Sequence, residues 1–143
     1  MRLSLHCHNQ WPQQPQLLTD LAKIFTSDQL TQLQAAVTAG ACLLTARFND
    51  RELAGALLIL AGEQAQLSQL QVREITQRRG VGRFVVDEAA KIAADAGAHS
   101  LQLVGVESAQ AQAFAQACGF LAADHQQALT KRPIKPSSAS NPP

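Results

Sequence analysis

The chain has 143 residues, 46% of them hydrophobic, and a formal net charge of +1 at pH 7. A length of this order gives one domain with one core, and a net charge so close to zero creates no field that would attract nucleic acid. The longest apolar run, residues 53–61, is too short to cross a bilayer, and the N-terminal residues lack the apolar centre of a signal peptide, so we expect a cytoplasmic protein.

The N-terminal residues predict a short first strand in which His6 and His8 share one face. A pair of histidines without a third ligand is typical of a surface, so no metal site is predicted. The spacing of Cys7, Cys42 and Cys118 fits neither a disulfide framework nor a zinc site, and we expect these cysteines to be reduced and mostly packed.

Two short amphipathic helices are predicted next, because apolar residues recur at helical spacing over residues 17–25 and again over residues 30–37. The second helix is expected to open at Ser27 or Asp28 and to stop at Gly40. Both helices therefore precede the main part of the predicted sheet.

A hairpin follows, with strands over residues 41–48 and 53–60 around a turn at residues 49–52, which are rich in side chains that bond their own backbone. In the next strand the alternation of apolar and polar residues shifts phase between Leu67 and Leu70, which is the pattern that one inserted residue, a β-bulge, would produce. We expect this bulge to separate the strand from its neighbour and to open a slot.

Between that strand and a helical pattern over residues 85–96 lies a basic turn with two glycines, Gln77-Arg78-Arg79-Gly80-Val81-Gly82-Arg83. The glycines remove side chains that would keep a phosphate from the backbone, and the helix that follows directs its free N–H groups at an anion. The turn therefore predicts a pyrophosphate site, with an ordinary strand-to-helix turn as the alternative. It lacks the Gly-Lys-Ser/Thr of a Walker loop and the third glycine of a Rossmann fingerprint.

The order Gln-x-x-Gly-x-Gly, carried here by Gln77, Gly80 and Gly82, resembles the acetyl-coenzyme A pyrophosphate motif of the GNAT acetyltransferase superfamily. The stretch from about residue 108 to residue 120, which ends in Gly-Phe, is similar to a helix of that superfamily. Segments at residues 46–49, 70–76 and 105–107 resemble one branch, the aspartate 1-decarboxylase maturation factors, also called autocleavage activators. The similarity extends from about residue 17 to residue 120.

This resemblance implies an α/β GNAT fold, a mixed central sheet with splayed fourth and fifth strands and about four helices, in one acetyl-CoA-binding domain over residues 1–130. The fifth strand would cover residues 101–106. Residues 131–143, rich in serine and proline, are expected to form a disordered tail. The pantetheine arm of acetyl-CoA or CoA would lie in the slot against the fourth strand. The cofactor-binding residues so implied are Leu70, Gln71, Val72, Gln77, Arg78, Arg79, Gly80, Val81, Gly82 and Arg83.

The resemblance also implies a partner, the precursor of aspartate 1-decarboxylase, whose backbone cleaves itself to create a pyruvoyl group. A regulator of this kind binds acetyl-CoA, promotes the cleavage and restrains the mature enzyme, which gives feedback on pantothenate and coenzyme A synthesis. Arg47, Phe48, Asn49 and Gln77 would contact the partner, and the free protein is expected to be a monomer. Each of these hairpin residues also has an alternative role. Arg47 would be a solvated strand residue, Phe48 a core residue, and Asn49 a residue that only shapes the turn.

Acetyl transfer would further require acid and base groups at the slot. Acetyltransferases of the superfamily commonly place a tyrosine where this chain has Ala115, and the chain contains no tyrosine. Cys118 is interpreted as a packed thiol, so no catalytic residue is assigned and a non-catalytic regulator is favoured. Two alternatives stay open: an N-acetyltransferase for an unidentified amine or protein, with Glu74 or Glu107 as base, and an interaction domain with a vestigial slot.

Overall fold

The computed structural model describes residues 2–73, 80–121 and 126–128. These residues form a six-stranded sheet with four helices, and neighbouring strands are antiparallel except β4 and β5, which are parallel. The predicted mixed sheet is confirmed, whereas the tail assigned to residues 131–143 lies outside the described part of the chain. In chain order the elements are β1 (Ser4–His8), α1 (Pro15–Ile24), α2 (Ser27–Thr38), β2 (Cys42–Phe48), β3 (Arg51–Ala61), β4 (Gln64–Val72), α3 (Val81–Asp95), β5 (Ser100–Leu103), α4 (Ala109–Ala117) and β6 (Gln126–Ala128).

The sheet carries helices on both faces because alternate residues of a strand point to opposite sides. On β2, Leu43 packs into a core with α1 and α2, whereas its neighbour Leu44 packs into a larger core with α3 and α4. The longest helix, α3, has 15 residues, and within the described ranges no helix combines the length and the apolar character that a membrane crossing needs.

Helix α2 begins at Ser27, as predicted, and its capping residue is Thr26. The Thr26 hydroxyl accepts a hydrogen bond from the Gln29 N–H, and the Gln29 side chain accepts one from the Thr26 N–H. This reciprocal capping box satisfies two backbone donors that would otherwise lack a partner at the helix start.

The hairpin between β2 and β3 turns through Asn49 and Asp50 alone, with φ values of 51° and 66°. A two-residue turn with both residues left-handed matches the twist of the flanking strands, and Asn and Asp tolerate that conformation. The predicted turn over residues 49–52 was therefore too long, because Arg51 and Glu52 already pair with β2.

The predicted bulge in β4 is confirmed. Leu57 of β3 opposes Ser68, whereas Gly55 opposes Gln71, so β4 holds one more residue than β3 over this stretch. The extra residue is accommodated at Gln69, whose φ is 54°.

Beyond the bulge, β4 and β5 separate. Their pairing covers Gln64–Leu67 against Ser100–Leu103, followed by one hydrogen bond from the Val104 N–H to the Leu67 carbonyl at 2.9 Å. The predicted splay is thus confirmed, but the fifth strand predicted for residues 101–106 ends at Leu103, because Gly105 has a left-handed φ of 86° that does not continue a strand.

Candidate functional site

A cleft of about 570 Å³ opens between the end of β4, the first turn of α3, and α4. The strand, the helix start and the opposite helix each contribute one wall. Its lining residues are Leu70, Gln71, Val72, Gly80, Gly82, Arg83, Ser108, Gln110, Ala111, Phe114, Ala117 and Cys118. Most of these side chains are apolar or neutral amides and hydroxyls, which suits a long ligand of mixed polarity.

Gly80 is the N-cap of α3 and has a φ of 80°, a left-handed conformation that strongly favours glycine. A Cβ atom at this position would meet no other atom within 4 Å, so the space beside the backbone is open. Because glycine has no side chain with which to cap the helix, the first N–H groups of α3 are offered to the cleft, where the helix dipole favours an anion.

Gly82 has a different role. A Cβ atom there would lie 3.2 Å from two ring carbons of Phe114 and 3.5 Å from a methyl carbon of Val72. The absence of a side chain therefore lets the start of α3 approach α4 and β4 closely, which gives the cleft its width.

A second cavity of about 300 Å³ continues from the cleft into the splay between β4 and β5. It shares Leu70, Gln71, Ala111 and Phe114 with the cleft and ends among Ser68, Gln69 and the residues after β5. We call this second cavity the slot. Cleft and slot together form one path from the N-terminus of α3 to the bulge of β4.

Among the described lining residues of this path, only Arg83 and Cys118 titrate. The Arg83 side chain is 60% exposed and reaches Asp87 only at 4.0 Å, so its charge is available to a ligand. Burial raises the pKa of the Cys118 thiol, with a smaller increase from Asp87 and an opposing effect of Arg83. Cys118 is therefore a neutral, packed thiol at pH 7.

The predicted acid and base positions supply no catalytic group to the described lining. Ala115 is buried in the core, and Glu107 is exposed and does not line either cavity. Glu74 lies outside the described residues. The described residues also contain no group of three or more potential metal ligands.

The hairpin end of the sheet carries a second polar constellation, built around the buried Asp20 of α1. Its carboxylate accepts hydrogen bonds from Nε and Nη2 of Arg51, from the backbone N–H of Glu52 and from Gln16. Burial alone would raise the pKa of Asp20, but these hydrogen bonds and the charge of Arg51 outweigh it and hold that pKa below its ordinary value. The interaction fixes the start of β3 against α1.

Glu52 forms the other half of this constellation. One carboxylate oxygen pairs with Nε of Arg47, while the other, Oε1, is buried without a hydrogen-bond partner. The Arg47 side chain is 33% exposed, so it combines a buried ion-pair partner with a partly solvent-accessible surface. Nearby, Nε2 of His8 and the hydroxyl of Thr45 are hydrogen-bonded at 3.1 Å.

Comparison with known proteins identifies the family of this chain. Residues 4–129 match the family described as "Acetyltransferase (GNAT) domain, PanZ". The chain belongs to the PanZ family. Among its relatives, the PanD regulatory factors of Salmonella typhimurium and Escherichia coli are 38% and 36% identical over 104 residues, which are 72% of this chain and 80% of each relative.

Solved structures share this fold. The solution structure of Escherichia coli YhhK bound to coenzyme A has a TM-score of 0.67 and 33% identity, and covers 85% of this chain and 92% of that one. A Bacillus subtilis acetyltransferase in complex with CoA has a TM-score of 0.65 at 20% identity, covering 84% and 77%. The predicted GNAT fold is confirmed.

In this PanZ-family protein, six of the predicted cofactor-binding residues line the cleft: Leu70, Gln71, Val72, Gly80, Gly82 and Arg83. Val81 is 1% exposed and packs into the core, so only its backbone can face a ligand. Gln77, Arg78 and Arg79 lie outside the described residues. Of the partner residues, Arg47 is anchored by Glu52, Phe48 packs partly on the core and Asn49 forms the turn.

Sequence reasoning missed several residues of both regions. Phe114 lines the cleft together with Ala111 and Cys118, and their i, i+3, i+7 spacing before Gly119 was the available signal. Asp20 and Glu52 gave no signal, because a charged residue that will be buried by a distant partner resembles any other charge in a sequence. The cysteines were only partly predicted, because Cys118 is packed but Cys7 is exposed.

Proposed function

We propose that this chain is an acetyl-CoA-dependent regulator of PanD, the aspartate 1-decarboxylase that the family resemblance implies. The observation that carries the proposal is the continuous path from the N-terminus of α3 to the bulge of β4, whose described lining contains no carboxylate, histidine or tyrosine. Such a path fits the binding of a cofactor better than the transfer of its acetyl group, which needs a base for the acceptor amine.

The cofactor's charged end is assigned to the start of α3. The open space beside Gly80, the N–H groups of the first turn and the available guanidinium of Arg83 together suit a pyrophosphate. Gln77, Arg78 and Arg79 belong to the same turn in the sequence and complete the proposed site. The backbone of Val81, rather than its buried side chain, would contact the phosphates.

The pantetheine arm is assigned to the end of β4. Beyond Leu67 this strand no longer pairs with β5, and Leu70, Gln71 and Val72 line the cleft there. An arm that contains amides can pair with a strand in the way that another strand would. Solved relatives of the same fold hold CoA or acetyl-CoA, which supports this assignment.

The partner is assigned to the hairpin. Arg47 has a partly exposed side chain held by the buried Glu52, and Asn49 stands at the tip of a tight turn. A tight turn beside a partly exposed arginine suits a carboxylate or the polar backbone of a partner. The regulator would dock there on the PanD precursor, promote its autocleavage when acetyl-CoA is bound, and restrain the mature enzyme.

The proposal is tested by mixing the chain with uncleaved PanD precursor and acetyl-CoA and following cleavage by gel electrophoresis. We expect faster cleavage, and we expect Asn49→Gly to slow it about tenfold, because one or two partner hydrogen bonds are lost while glycine keeps the left-handed turn. Asp50→Gly is the matched control, with the same conformation one residue away.

If Asn49→Gly and Asp50→Gly slowed the cleavage equally, Asn49 would not have the assigned role. Unchanged cleavage by the wild-type chain, together with acetylation of amines in a mixed acceptor screen, would instead establish an N-acetyltransferase. In that case Glu107 and Glu74 would be the candidates for the base.

A further inference from the structure

The inner end of the slot is marked by Gln69, the bulge residue of β4. Its φ of 54° is uncommon for a residue other than glycine, and such residues occur where a local structure needs them. Gln69 is half-buried and lines the slot at the point where β4 leaves β5. The bulge directs its side chain toward α2.

There the amide of Gln69 meets a second amide. Its Nε2 donates to Oε1 of Gln32 on α2 at 3.4 Å, a long and easily opened contact. Within the described ranges neither side-chain amide has another hydrogen bond. Gln69 therefore keeps one unused amide N–H at the inner end of the slot, while Gln32, which is exposed and does not line the slot, holds the Gln69 amide through its carbonyl oxygen.

A cofactor held by its phosphates beside Gly80 would extend along Val72 and Leu70 toward this pair. Gln69 is three residues before Val72, which places it about 10 Å further along the strand. The end of the arm, not its phosphates, would thus reach the amides. The other side chains that line the slot are apolar, apart from Ser68 and Gln71.

We infer that Gln69, positioned by Gln32, is a specificity-determining residue that recognises the acyl group of the bound thioester. The unused amide N–H of Gln69 donates to the carbonyl oxygen of acetyl-CoA, whereas the free thiol of CoA offers no such acceptor. Gln69 would thereby let the slot distinguish the acetylated cofactor from CoA. The inference rests on the proposed function, because it requires that the cofactor binds in this path.

The test is calorimetric titration of acetyl-CoA and of CoA into the wild-type chain and the Gln69→Gly, Gln32→Ala and Gln34→Ala variants. Glycine accepts the φ of the bulge, so Gln69→Gly removes the amide and keeps the slot. We expect both Gln69→Gly and Gln32→Ala to lower the affinity for acetyl-CoA roughly threefold to tenfold, the value of one hydrogen bond, with CoA affinity unchanged. Gln34→Ala, also exposed on α2, should change neither affinity.

Three results would overturn the inference: equal wild-type affinities for the two ligands, unchanged acetyl-CoA affinity in both test variants, or a parallel loss of both affinities, which would indicate a collapsed slot. Failure of the proposed function is distinguishable, because the wild-type chain would then bind neither ligand. Infrared spectra of acetyl-CoA labelled with ¹³C at the carbonyl provide a direct readout. The carbonyl band should move to lower frequency on binding, and less so with Gln32→Ala.

Discussion

The cleft and the hairpin end of the sheet differ in how they obtain their shape. The cleft is formed by missing side chains, at Gly80 and Gly82, and its polar lining is largely neutral. The hairpin end is formed by two buried carboxylates, Asp20 and Glu52, each tied to an arginine that reaches the surface. The difference leaves open space in the cleft, where we propose that a ligand binds, and fixes the outline of the hairpin.

The two regions should therefore respond to mutation in different ways. A change in the cleft should mainly alter ligand affinity, with at most about 2 kcal/mol lost from the free energy of unfolding where a new side chain has to be packed. A change in the buried ion pairs should lower that free energy and leave the affinity of the folded protein for ligand intact. A variant that altered both properties strongly would break this comparison.

The largest effect is expected from Asp20→Ala, which leaves Arg51 and the Glu52 N–H without their acceptor. We expect the free energy of unfolding in urea to fall by about 3 kcal/mol, because a buried ion pair loses one partner. The control, Asp28→Ala, removes an exposed acid from the first turn of α2 and should cost about 0.5 kcal/mol. Equal losses in the two variants would show that Asp20 has no special role.

Gly82→Val should have the next largest effect. Its side chain would push into the ring of Phe114 and narrow the cleft, so acetyl-CoA affinity should fall by a factor of about 30, with about 1–2 kcal/mol lost in stability. Ala94→Val, near the other end of α3 and away from the cleft, is the control. Unchanged affinity in a folded Gly82→Val protein would refute the assignment of the cleft.

A smaller effect is expected from Arg83→Ala. Its guanidinium is exposed, so loss of its contact with a phosphate should weaken cofactor binding about fivefold, and less at high salt. Lys91→Ala is matched to it, since Lys91 is a cation of the same helix and also pairs with an acid one turn away. Calorimetry should separate the two variants, and identical affinities would remove Arg83 from the site.

The smallest effect concerns pH. Because the pKa of Asp20 is lower in the folded protein than its ordinary value of 3.8, its contribution to stability is complete above that value and is lost as the pH falls through the folded pKa. The difference in unfolding free energy between wild type and Asp20→Asn should thus be constant from about pH 7 to 5 and narrow below that range. A difference independent of pH down to pH 2 would contradict the depressed pKa.

The cleft was more predictable from the sequence than the hairpin network, for a physical reason. The left-handed cap of α3 favours glycine at its own position, so Gly80 marks the cleft locally, and the phase slip before Leu70 marked the splay. Asp20 and Arg51 lie 31 residues apart, and only the folded chain brings them together. The close packing of Gly82 on Phe114 could not be predicted either, because a glycine in a sequence does not show which side chain packs against its backbone.

The central claim is that acetyl-CoA makes the chain competent to bind its partner. We would titrate the wild-type protein into an uncleavable PanD precursor by calorimetry, once alone and once saturated with acetyl-CoA. The account predicts binding with the cofactor and little or none without it. Equal binding in both conditions, or no binding in either while acetyl-CoA alone still binds the chain, would contradict it.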